Sequence, residues 1–68
     1  MTATLRLHRP FQPGPRPRRN DPVPVAAGTY HTEQGVREVP GQVGRVVGWS
    51  DDHRHQYTVV RVEVVGVR

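Results

Sequence analysis

Asp51, Asp52, His53 and His55 form the one concentration of metal-ligand side chains in this 68-residue chain. On a strand, His53 and His55 would share a face, and His31 would supply a third nitrogen from a neighbouring strand. The same stretch, SDDHRHQ, also has the composition of a polar hairpin loop with solvated histidines. That reading is favoured, and no metal is assigned. Covalent catalysis finds no footing either: cysteine is absent, and neither Ser50 nor any threonine sits in an elbow motif that would pair a nucleophile with a base. The expectation is a protein that is not an enzyme, with no cofactor and no small-molecule substrate.

The remaining chemistry is that of contact. All ten basic residues other than histidine are arginine, the side chain that forks onto phosphates and carboxylates. Arg6, Arg9, Arg16, Arg18 and Arg19 face only Asp21 within residues 1–25, whereas residues 26–68 balance five arginines against Glu33, Glu38, Asp51, Asp52 and Glu63. The net charge of +4 therefore lies in the first 25 residues. A neutral body with a charged segment is a docking layout, because the segment finds acidic surfaces or phosphates by long-range attraction. The aromatics are Phe11, Tyr30, Trp49 and Tyr57. Trp49 and Tyr57 are candidates for surface contacts with bases or proline-rich segments, and also for packing in a core poor in leucine.

The element that presents these arginines is unusual. HRPFQPGPRPRRNDPVP, His8 to Pro24, holds six of the seven prolines and is expected neither to coil into a helix nor to sit inside a sheet. Its prolines favour polyproline II, so Pro10 to Pro24 would span roughly 45 Å if fully extended. Ahead of it, Ala3, Leu5 and Leu7 alternate with polar residues in a short strand candidate over residues 2–8. This strand would either fold back on its own sheet or add an edge to a neighbour's. The expected organisation is an extended basic Pro-rich arm over 1–25 and a small β-barrel over 26–68, with Ala3, Leu5, Leu7 and Phe11 as the docking residues of the arm. Pro10 and Pro13 make one PxxP, but Leu7 and Pro15 stand where a flanking arginine is usually needed.

The second half reads as strand. In TVVRVEVV, Val60, Val62 and Val64 share one face while Arg61 and Glu63 share the other. A second strand runs from about Val43 to Trp49 with Gly48 as a bulge candidate, and the two should pair antiparallel around SDDHRHQ. AAGTYHT and QGVREV offer two shorter strands. Curling four or five such strands into a barrel would remove most exposed edges. The stretch VPGQVGRVVGW, Val39 to Trp49, resembles the glycine-punctuated turn and strand of KOW-type SH3-like barrels, with Gly41, Gly44 and Val46 on its G-x-x-G-x-V pattern. That resemblance implies an all-β, SH3-like antiparallel barrel and contact with RNA or ribonucleoprotein, although only Arg37 and Arg45 supply basic charge around the motif.

Two functions follow as expectations. The first is a structural docking protein, a minor component of a multi-subunit assembly such as a phage virion, held to protein subunits by its arm. The second is an RNA- or DNA-binding module. With no run of about 18 apolar residues, no membrane is expected as a partner, and the location expected is cytoplasm or virion.

Overall fold

The structure is a computed structural model describing residues 1–11 and 14–68; Pro13, and with it the PxxP spacing, lies outside the described residues. Six strands make up one open antiparallel sheet: β1 (Ala3–Pro10), β2 (Pro22–Val25), β3 (Gly28–Thr32), β4 (Gly35–Val39), β5 (Gln42–Asp52) and β6 (Tyr57–Val64). Their spatial order is β2-β5-β6-β1-β3-β4. No helix occurs among the described residues.

One face of this sheet carries the core, and β6 shows why. Its residues alternate strictly, with Thr58, Val60, Val62 and Val64 buried and the intervening side chains half-exposed. Val62 sits directly opposite Leu5 on β1 and Val46 on β5, and all three are fully buried. The core expected from the valine alternation (Val46, Val60, Val62 and Val64) is therefore present, joined by Ala3 and Leu5. Val25 from one edge strand and Val39 from the other belong to the same cluster, so the sheet curves around its apolar face.

Two glycines let the central strands meet. A Cβ at Gly44 would stand 2.6 Å from Val62 Cγ1 and 2.8 Å from the Glu63 carbonyl oxygen, closer than any side chain tolerates. At Gly48 the β5–β6 register shifts by one residue, the bulge that glycine in mid-strand suggests.

The N-terminal segment corrects the expected arm. β1 lies in the interior of the sheet, paired along its whole length with β6 and joined on its other side to β3. Ala3 and Leu5, expected to dock on a partner, are buried in this chain's own core, and Leu7 packs half-buried against it. The physical reason is area: with mostly valines to bury, the sheet gains its largest apolar side chain by taking β1 inside. Prolines also enter the sheet. Pro10 ends β1, and Pro22 and Pro24 alternate on edge strand β2. The ladder of β2 to β5 runs through Asp21, Val23 and Val25, which leaves the prolines at the positions where an N–H would point outward. An edge without donors resists pairing with another strand. The opposite edge is covered differently, because Glu38 of β4 exchanges both backbone hydrogen bonds with Arg68, at 3.1 and 2.9 Å.

Candidate functional site

The proline-rich segment crosses the end of the sheet and is fastened there. Arg16 Nη2 lies 3.0 Å from Asp51 Oδ2, and the Arg16 guanidinium sits 4.8 Å from the centroid of Phe11 and 5.5 Å from that of Trp49. The other oxygen of Asp51 accepts a 2.7 Å hydrogen bond from the Thr58 hydroxyl. Both charged side chains are largely buried, at 25% and 14% exposure, and a guanidinium against aromatic faces gains cation–π attraction besides the ion pair. Arg16 is thus a fastening of this chain to itself. Phe11 also meets His53, with centroids 5.5 Å apart, and its N–H donates to the Gln56 carbonyl at 3.1 Å.

The turn joining β5 and β6 gathers an aromatic cluster. His53 and His55 lie in this turn, as the polar-hairpin reading of the stretch expects, and Gln56 takes a left-handed φ of 60°. His55 Nδ1 is 2.9 Å from Asp52 Oδ2, and the His55 N–H donates to Asp52 Oδ1 at 3.1 Å. The His55 ring stacks on Tyr57 at 5.9 Å with a 24° tilt, and His8 meets the same tyrosine edge-on at 4.8 Å. Burial of Tyr57, aided by the nearby Asp52 charge, raises its hydroxyl above the ordinary value of 10.0.

The hydrogen bonds from His55 hold the Asp52 carboxyl below its ordinary 3.8. A depressed carboxylate contributes stability that is present above the unfolded value and lost as pH falls through the folded one. A carboxyl-carbon NMR titration is expected to place the Asp52 midpoint below 3.8, with His55→Ala restoring it upward. A midpoint unmoved by that substitution would remove the bond from the account.

The face opposite the core carries Arg6 and Arg61. Arg6 on β1 stands directly opposite Arg61 on β6, and like charges so placed repel. Among the described residues, neither has a carboxylate within ion-pairing distance; Glu63, one row away, is taken by Arg45 at 2.7 Å. The Arg61 guanidinium leans over Gly48 of β5, its Nη2 2.5 Å from where a Cβ at that position would be, on the side of β6 away from Arg6. On its other side β1 meets β3 at Leu5 and Thr32, next to His31 in the chain. Arg61 and Arg6 thus form a cationic pair on two adjacent strands, about 4.8 Å apart from strand to strand.

The other candidates scatter. Arg9 is exposed at the end of β1, and Arg18 and Arg19 are exposed at the turn before β2, where Arg18 N–H donates to Asp21 Oδ2 at 2.8 Å. Trp49 is 37% exposed and lines the bed of Arg16. His31 lies on β3, away from the turn that holds His53 and His55, and among the described residues no three metal-ligand side chains converge. The Arg6–Arg61 pair escaped sequence reading because nothing along the chain links positions 6 and 61. No family model, curated protein or solved structure matches this chain.

Proposed function

We propose that this chain is a non-enzymatic nucleic-acid-binding module that holds phosphates on the outer face of its sheet. The observation that carries the reading is the opposed Arg6–Arg61 pair without a carboxylate partner among the described residues. Two like charges cost stability when left alone, and a phosphate between them turns repulsion into two charge-assisted contacts. The exposed Arg9, Arg18 and Arg19 extend the attraction at longer range. The curvature that brings Val25 and Val39 into one core supports a small SH3-like barrel as the scaffold, and such a module would work in the cytoplasm or within a virion.

The test is anisotropy of a labelled oligonucleotide across a salt series. Binding should weaken steeply with salt, and replacing Arg6 and Arg61 together by glutamine should lower the affinity by about tenfold and reduce the salt slope by roughly 0.7 to 0.9 per phosphate lost. Arg37→Gln, on the β4 edge, serves as the control. Equal losses from the control and the double variant would reduce the effect to net charge.

A second reading, a docking component of a multi-subunit assembly, is favoured by one feature. Val43 and Val65 are 68% and 59% exposed, and the β5–β6 register, continued past Arg45 and Glu63, sets them opposite each other beside Pro24. This reading would be preferred if Val43→Asp abolished co-purification with partner subunits and left oligonucleotide binding intact.

A further inference from the structure

We infer that the nucleic acid held by this face is single-stranded, its bases stacking on the exposed rings of His8 and His55 while Arg6 and Arg61 hold its phosphates. The inference rests on the phosphate reading above and adds what the ligand must look like. His8 is two positions along β1 from Arg6, on the same outer face, a separation of roughly 6.8 Å. Its ring is braced against Tyr57, and the His55 ring is braced on the same tyrosine and bonded to Asp52. Rings already held in place lose little freedom when a base settles on them. His55 keeps 61% of its side chain exposed, so a face remains open to a ligand.

A duplex fits this surface poorly. Its bases are stacked within the helix and offer the rings no face, and its major groove is read by an inserted helix or two-stranded ribbon. Among the described residues there is no helix. An unpaired strand, by contrast, splays its bases onto aromatic platforms while arginines track its backbone.

The intact chain would be titrated with labelled oligothymidylate and with its duplex with oligoadenylate, and polyphosphate, which has no bases, would be used as a competitor. Oligothymidylate is expected to bind at least several-fold tighter than the duplex. Replacing His8 and His55 by alanine should weaken oligothymidylate by roughly tenfold, leave the polyphosphate competition unchanged, and be rescued by phenylalanine at both positions. Equal or tighter duplex binding, or equal losses for oligothymidylate and polyphosphate, would overturn the stacking inference while leaving the phosphate reading in place. If the Arg6 and Arg61 double variant bound every probe like the parent, the phosphate reading would fall and the inference with it.

Discussion

Val62→Asp leaves this chain unfolded at room temperature. Val62 is completely buried, flanked by Leu5 and Val46 on the two neighbouring strands, and Gly44 approaches it so closely that even a methyl group there would collide with it. There is no route for a carboxylate at this point to reach water. Burying one without a partner costs several kcal/mol even after its pKa rises to neutralise it. A chain of this size holds roughly 3 to 10 kcal/mol in total. Circular dichroism should therefore show no cooperative melt, and proton NMR should show collapsed amide dispersion. A cooperative transition within a few degrees of the parent would mean that the core lies elsewhere.

The double substitution Leu5→Ser and Leu7→Ser should come close to the same result, which separates a strand of the sheet from a tether. Were β1 a free arm, the pair would detach a partner and leave the melting temperature alone. Leu5 is instead fully buried and Leu7 half-buried, on a strand bonded to β6 along its length and to β3 on its other side. Truncating one buried leucine costs about 2 to 5 kcal/mol, and a serine hydroxyl set among valines adds an unpaired polar group. The isolated protein is expected to melt tens of degrees lower or not to fold. Deleting residues 1–22 should behave likewise, because it removes an interior strand and opens the sheet between β6 and β3. An unchanged melt of the double variant would return β1 to the role of an arm.

These expectations also recast the proline-rich stretch. Polyproline composition suggested reach, yet the segment spends it crossing its own sheet end, with Arg16 set between Phe11, Trp49 and Asp51. Pro22 and Pro24 then shield an edge. Both uses exploit what proline lacks, a donor and a free φ, and neither needs a second molecule.

What the sequence determined by itself is local: period-two alternation placed Val60, Val62 and Val64 on one face, the HRHQ end of SDDHRHQ reversed the chain between β5 and β6 while its SDD joined β5, and Gly48 marked the bulge. Each of these depends on residues a few positions apart, where backbone geometry alone decides the outcome. Only the tertiary structure decided that β1 pairs with β6 from far along the chain, that Glu38 meets Arg68, and that Arg6 stands against Arg61. Alternation tells a strand which face to bury but not which neighbour to choose. Partner and register are settled by the total burial and hydrogen bonding of the whole sheet, and the candidate site, a pair formed across strands, exists only once they are settled.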